Sequence, residues 1–227
     1  LSDIPGVVIN ATLKPGETVG TSDLLVEAAA PGLAVAGNMV LDDYGNRYTG
    51  RARIGGALNF NNPLHHGDYL SFNVLSSGSG MSYGRVSYES LLNGKGTRMG
   101  VSYSTLDYTL GDTLAPLNAH GTAQVGSLWA KHPLVRSRDG NLYGQIQYDQ
   151  VQLSDHIDAS GTHTDRHLQT WTGSLSGDRR DEFKSGGINT WNLGLTTGRV
   201  AFDNGAAQLA DAATARSQNG FTKWNAS

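Results

Sequence analysis

Arg51-Ala52-Arg53-Ile54-Gly55-Gly56-Ala57-Leu58-Asn59-Phe60 changes character at every step. Ala52, Ile54, Gly56, Leu58 and Phe60 fall on one side of an extended chain, and Arg51, Arg53, Gly55, Ala57 and Asn59 on the other. A strand turns successive side chains to opposite faces, so this period of two predicts a β-strand with one apolar and one polar surface. The pattern repeats outward from there. Upstream, Leu33, Val35, Gly37, Met39 and Leu41 oppose Ala34, Ala36, Asn38 and Asp42. Downstream, Leu70, Phe72 and Val74 alternate with Tyr69, Ser71 and Asn73. Gly84, Val86 and Tyr88 alternate with Tyr83, Arg85, Ser87 and Glu89, and Met99, Val101 and Tyr103 with Arg98, Gly100, Ser102 and Ser104. Leu142 to Tyr148 and Trp191 to Leu195 behave alike; Ala123–Ala130 and Gln169–Leu175 alternate less cleanly.

Turn-forming pairs punctuate these runs, among them Gly45-Asn46, Asn62-Pro63, Gly67-Asp68, Asn93-Gly94, Asp139-Gly140, Gly186-Gly187 and Asn204-Gly205. The chain therefore reads as all-β, an up-and-down meander of about nine or ten antiparallel strands. Ala206–Arg216, rich in Ala and free of Gly and Pro, reads as a short helix inside a loop. Val7–Leu13 and Asp23–Ala28 read as two short strands joined at Pro15-Gly16, with Leu1–Gly6 ending a helix. Pro31-Gly32 is the natural boundary, which divides the chain into residues 1–30, the tail of a preceding domain, and residues 31–227.

Composition narrows the classes. The 227 residues carry a formal net charge of -3, so the basic stripe of a nucleic-acid binder is missing. With no Cys there is no disulfide framework, thiolate zinc site or thiol nucleophile. No run approaches the roughly 20 apolar residues of a membrane helix, which leaves transmembrane barrels untouched because their hydropathy averages out. The chain opens at Leu1 without a leader and reads as a piece of a longer protein. Alternation alone does not separate a barrel from a soluble sandwich. Expected strands of about 10 to 15 residues, longer than the usual 5 to 6, favour a barrel. So does an apolar face that mixes Gly, Ala and Tyr.

At this point specific wording carries a resemblance. Leu41-Asp42-Asp43-Tyr44-Gly45-Asn46-Arg47-Tyr48-Thr49-Gly50 and Leu58-Asn59-Phe60-Asn61-Asn62-Pro63-Leu64, followed by Gly67-Asp68, resemble successive hairpins of the two-partner secretion transporters. These are the outer-membrane haemolysin secretion/activation proteins of the TpsB family. Tyr103–Tyr108, His120–Gln124 and His132–Ser137 are similar, and the matches stay collinear from Asp3 to about Arg216. Leu1–Ala30, with Asp3-Ile4-Pro5-Gly6 and Gly20-Thr21-Ser22-Asp23-Leu24, is similar to the end of the second periplasmic POTRA domain. The resemblance implies a partial transmembrane β-barrel preceded by the end of a POTRA domain, in the outer membrane, exporting one large haemolysin- or adhesin-like exoprotein without ATP. It implies no cofactor and no bond-making chemistry. It also sets the direction: Asp42–Arg47, Ser76–Gly80, Gly111–Gly121, Ser154–Asp165 and Asp203–Gly220 as exterior connections. Asn61–Asp68, Leu92–Gly96, His132–Asn141 and Asp178–Gly187 are then periplasmic. The family's inward-folded loop tip, of Val-Arg-Gly-Tyr type, matches nothing in this chain.

Strand parity places Arg51, Arg53, Arg85, Glu89, Arg98, Gln145, Gln147 and Asp149 on the polar side, the expected lumen, since arginine is heavily penalised in lipid. Two readings stand: the arginines pair with Glu89, Asp149 and their neighbours, or they form a basic inner wall that meets a passing polypeptide. Tyr88, Tyr103, Trp129, Tyr148, Trp171 and Trp191 suit interfacial girdles, or are ordinary strand aromatics. His163 and His167, near Asp155, His156, Asp158 and Asp165, read as an exposed loop rather than a metal site, and His65-His66 as a solvated turn. Gly94-Lys95-Gly96-Thr97 lacks phosphate-loop spacing, no Gly-x-Ser-x-Gly elbow is present, and Asp178–Lys184 reads as a solvated charge cluster. The alternative functions are a small-solute porin, a barrel-assembly relative and a soluble β-sandwich binding module.

Overall fold

Period-two alternation is realised as a continuous antiparallel ladder in the computed structural model, which describes residues 8–18, 20–29, 35–181, 186–214 and 216–227. Expectations for Leu1–Val7, Pro31-Gly32, Leu33, Ala34 and Glu182–Lys184 lie outside the described residues. β1 (Val8–Pro15) and β2 (Ser22–Ala29) pair as a two-stranded antiparallel sheet, with Pro15 opposite Ser22.

Ten further strands form one sheet in which every strand pairs with its neighbours in sequence. They are β3 (Val35–Asp42), β4 (Arg53–Asn61), β5 (Tyr69–Ser76), β6 (Met81–Leu91), β7 (Arg98–Thr109), β8 (Ala119–Arg136), β9 (Gly140–Ile157), β10 (Thr162–Asp181), β11 (Gly187–Phe202) and β12 (Asn219–Ala226). The sheet is not closed; β3 and β12 are its edges. Among the described residues no helix is long and apolar enough to cross a membrane. α1 (Gly205–Ala213) lies within the connection from β11 to β12, where the Asn204 side chain accepts the Ala207 N–H at 2.8 Å as its N-cap.

Several strands run past the expected connections. β9 and β10 continue to Ile157 and from Thr162, so only Asp158–Gly161 turns the chain where Ser154–Asp165 was expected as loop. His163 and His167 therefore belong to β10, not to a loop. Likewise His132–Arg136 extends β8, and Asp178–Asp181 extends β10. The β8–β9 ladder absorbs one irregularity between Pro133 and Val135. Proline has no N–H to give to the ladder, so a bulge beside Pro133 is its natural place. β8 to β11 reach 16 to 20 residues, longer than expected.

Register joins the alternating residues into two continuous faces. On one, Gly37, Leu58, Phe72, Val86 and Tyr103 lie side by side across β3 to β7, and the next row of the same face runs from Val35 through Phe60, Leu70, Tyr88, Val101, Leu128 and Tyr148 to Trp171 across β3 to β10. These side chains have no second layer over them. Among the described residues only Ala119 and Ala207 are buried hydrophobics, whereas Met39 is 76% exposed, Val74 61% and Ile146 53%. A β-sandwich buries the inner rows of both sheets, so this arrangement rules that architecture out. At about 25 cal/mol per Å² an apolar face of this extent is untenable in water and natural against hydrocarbon.

The turn from β4 to β5 shows why Asn61-Asn62-Pro63-Leu64 is tied to Gly67-Asp68. Asn62 takes φ 56°, its N–H donates to the Asp68 carbonyl at 2.7 Å, and its side-chain oxygen accepts the Gly67 N–H at 2.8 Å. The Asp68 carboxylate, fully buried, accepts the Leu64 N–H at 3.1 Å and the His66 N–H at 3.2 Å. Burial by itself would raise this carboxyl. The amides of His66 and Leu64, its own N–H and the Tyr88 hydroxyl more than offset that and hold it below the ordinary carboxylate value. A depressed folded pKa contributes stability above the unfolded value, about 3.9, and that contribution is lost as pH falls through the folded value. Protease protection of this turn in the full-length protein is thus expected to stay level from pH 7 to 5. Asp68→Ala, which takes the carboxylate acceptor from the Leu64 and His66 amides at about 1–3 kcal/mol, should lower it at every pH. Protection that already fades between pH 7 and 5 would contradict this account.

Candidate functional site

The candidate site is the polar face of the ten-stranded sheet. Arg53, Arg85, Glu89, Arg98, Gln145, Gln147 and Asp149 share it by register: Arg85 pairs across with Asn73 and Ser104, Glu89 with Tyr69 and Gly100, and Gln147 with Trp129 and Thr172. Arg51 precedes β4 and is exposed in the bend that leads into it.

This face is wired together. Arg53 Nε donates to Asp42 Oδ1 at 2.8 Å across the β3–β4 hairpin. Arg98 Nε bonds Glu89 Oε1, and its Nη2 donates to the Gly67 carbonyl at 3.1 Å, which anchors the β4–β5 turn to β7. Up β9, Gln145 Nε2 donates to Gln147 Oε1 at 3.2 Å, and Gln147 Nε2 to Asp149 Oδ1 at 2.8 Å; Thr170 reaches Asp149 Oδ2 from β10 at 3.4 Å. Ser71 and Ser87 bond at 2.7 Å, Thr172 and Thr196 at 2.9 Å, and Lys131 Nζ lies 4.6 Å from the centre of the Tyr143 ring.

These contacts divide the arginines. Arg53 and Arg98 are paired with carboxylates, Arg98 with Glu89 as one reading held, while Asp149 is held by Gln147 and Thr170 instead of by an arginine. Arg85 is different. It is exposed, its Nη2 donates to Ser102 Oγ at 3.3 Å, and it has no carboxylate partner among the described residues. Among the described residues the surface is a wall of hydrogen-bonded polar groups and paired charges, with Val125, Val151 and Leu168 set among them and Arg85 without a carboxylate.

Trp129 corrects the expected aromatic girdle. The register sets it between Gly100 and Gln147, on the polar face, where its Nε1 donates to Glu89 Oε2 at 3.2 Å. Gly100 makes this possible: a Cβ there would lie 2.2 Å from the indole. Tyr88, Tyr103, Tyr148, Trp171 and Trp191 keep to the apolar face, and the Tyr148 and Trp171 rings pack 4.9 Å apart. The signal for Trp129 was its pairing with a glycine on the neighbouring strand.

At the β9–β10 turn the imidazoles of His120, His156 and His163 line up across β8, β9 and β10. The first two stack at 5.1 Å, and His163 Nε2 contacts Asp165 Oδ2 at 2.5 Å. Among the described residues no group of His, Asp and Glu is arranged to hold a metal ion. Near the same end Tyr108 donates to Asp155 at 2.7 Å, and Arg166 Nη2 to the same carboxylate at 2.9 Å. α1 packs against β10 and β11 there. Its Asp211 is held below the ordinary carboxylate value by the Ser217 hydroxyl and the Gln218 and Ser217 amides, with the positive Arg166 adding to the effect.

A family model described as haemolysin secretion/activation protein ShlB/FhaC/HecB matches residues 20–227. The heme/hemopexin transporter protein HuxB of Haemophilus influenzae is 28% identical over 178 residues, 78% of this chain and 31% of that protein. The outer membrane transporter CdiB of Escherichia coli is 27% identical over 96% of this chain and 37% of its own length. Among solved structures, CdiB from Escherichia coli superposes with a TM-score of 0.73 at 20% identity, over 96% of this chain and 41% of that one. CdiB from Acinetobacter baumannii gives 0.63 at 21% identity, over 89% and 38%. The chain thus spans about a third of the length of the curated relatives it matches.

Proposed function

Because this chain belongs to the ShlB/FhaC/HecB family of haemolysin secretion/activation proteins, an outer-membrane β-barrel family, we propose that its polar face lines the lumen through which a secreted partner protein crosses the outer membrane. The partner is a large exoprotein of the haemolysin or adhesin kind, bound first on the periplasmic side and threaded in extended form. On this reading residues 1–30, including the β1–β2 sheet, are the end of a periplasmic POTRA domain, and residues 31–227 are the first strands of the barrel. The long connection at 203–218, with α1, then lies at the cell exterior, as do 43–52 and 110–118.

One observation carries the reading: a ten-strand meander whose polar side satisfies itself through side-chain hydrogen bonds while its apolar side is bare. An extended polypeptide needs water and exchangeable hydrogen-bond partners along its path. A wall of Ser, Thr, Gln and paired charges supplies both without a strongly attractive site that would stall it. Arg85, lacking an anionic partner, is the cation best placed to touch the passing chain or an acidic segment folded into the lumen.

The test is charge reversal in the full-length transporter. Arg85→Glu combined with Arg53→Glu should shift single-channel conductance and lower export of the partner several-fold, with Arg53→Glu also setting a repulsive pair against Asp42. Unaltered conductance and export would remove these residues from the path. Deleting the residues before 35 from the full protein separates export from simple diffusion, since a porin would keep its solute flux without them.

A further inference from the structure

The outward, apolar face does not stay apolar along the long strands. Past Tyr148 on β9 come Gln150 and Gln152; past Trp171 on β10, toward the same end, come Gln169 and His167; past Leu128 and Gly126 on β8 comes Gln124. Gln124 stands opposite Gln152, and Gln150 opposite Gln169, so four glutamines form one cluster across adjoining strands. All four are exposed. None has a side-chain hydrogen bond among the described residues, in contrast to Gln145 and Gln147 on the opposite face. Gly126, between Tyr103 and Gln150 in the ladder, has open space where a side chain would be, which leaves a shallow depression beside the cluster.

We propose that this cluster binds neutral sugars in the headgroup of the glycolipid that forms the outer leaflet of the outer membrane. The patch starts where the apolar band ends and points the same way, so its neighbour in the membrane is the headgroup layer, not the lumen. Free primary amides each offer donors and acceptors, the complement of a sugar's hydroxyls. Trp171, 52% exposed at the lower margin, presents a ring for the apolar side of a sugar. The charge balance speaks against phosphate as the group recognised: among the described residues Arg199 is the one Lys or Arg paired directly with a glutamine of the cluster, and Asp165 and Asp203 flank His167. The inference rests on the strand ends near Ile157 facing the cell exterior, and is independent of what passes through the lumen.

The experiment uses the full-length transporter in detergent, with bound lipid counted by native mass spectrometry. The probes are lipopolysaccharide bearing its core sugars, and lipid A without them. The wild type should retain the core-bearing form about tenfold better, equivalent to about 1.4 kcal/mol. Gln124→Ala, Gln150→Ala, Gln152→Ala and Gln169→Ala together should erase that preference while heat-modifiable migration and partner export persist. Equal retention of both probes by the wild type, or an undiminished preference in the variant, overturns the proposal. If the fourfold variant fails to assemble, the Gln150→Ala, Gln152→Ala pair decides by the same comparison. In the Arg53→Glu, Arg85→Glu protein the sugar preference should persist, so unaltered export there counts against the lumen reading alone.

Discussion

Ile146→Arg is expected to block assembly of the full-length protein or to cost it about 2–4 kcal/mol, whereas Gln147→Arg, one residue on, should fold with little loss. Ile146 lies mid-row on the outward face of β9, 53% exposed, with Ala130 and Gly173 across the ladder. A guanidinium there is set against hydrocarbon with no carboxylate beside it. At 147 the same group enters the polar face between Gln145 and Asp149, where water and a carboxylate receive it. Heat-modifiable migration, read as the folded fraction in increasing urea, measures both variants together. Equal sensitivity at the two positions would contradict the assignment of the faces.

Gly100→Val is the second large effect. A Cβ at 100 falls 2.2 and 2.4 Å from carbons of the Trp129 indole, well inside contact distance. The indole cannot simply slide, because its Nε1 is committed to Glu89, whose other oxygen holds Arg98. Overpacking of this kind costs about 1–3 kcal/mol, and the displaced hydrogen bond about 1 kcal/mol more. The cost should nearly vanish in a Trp129→Ala background, a coupling that a double-mutant cycle reads directly. A penalty of the same size in both backgrounds would show that the indole is not what fills the space over Gly100.

Much of this was legible in the sequence wherever one face is apolar and the other polar. β4 to β7 alternate so strictly that Ile54, Leu58, Phe72, Val86 and Val101 reveal their shared face without coordinates, and the ten-strand meander follows from the turn pairs between them. Legibility failed where that contrast fades. From Gln150 to Ile157 the contrast reverses, with Gln150, Gln152, Ser154 and His156 outward and Val151, Leu153 and Ile157 on the other face, and from Thr162 to Gln169 every residue but Leu168 is polar. Period two then no longer marks one face as apolar throughout, although the backbone ladder, which needs no apolar side chain, runs on unbroken. The stretch around His163 therefore read as loop. Trp129 failed for another reason: Leu128 and Trp129 are adjacent and both large and apolar, so hydrophobicity cannot say which turns outward. The register against Gly100 decides it. The pairing of Arg53 with Asp42 likewise depends on hairpin register across the connection 43–52, which spacing alone does not give. Wherever the contrast between faces is strong, sequence suffices; wherever both faces are wet or both greasy, pairing carries the information.

The most direct test of the central claim is site-directed spin labelling along β9 of the full-length protein in lipid bilayers, with consecutive single cysteines from Gln145 to Gln152. These residues lend themselves to it, since the 227-residue stretch contains no native cysteine. Labels at Ile146 and Tyr148 should be relaxed by oxygen dissolved in the lipid, and labels at Gln145, Gln147 and Asp149 by a water-soluble nickel complex. At Gln150 and Gln152 the outward positions should turn accessible to nickel, marking the upper limit of the hydrocarbon. Uniform accessibility to nickel along the whole stretch, or oxygen relaxation on both parities, would contradict a sheet with lipid on one side and water on the other.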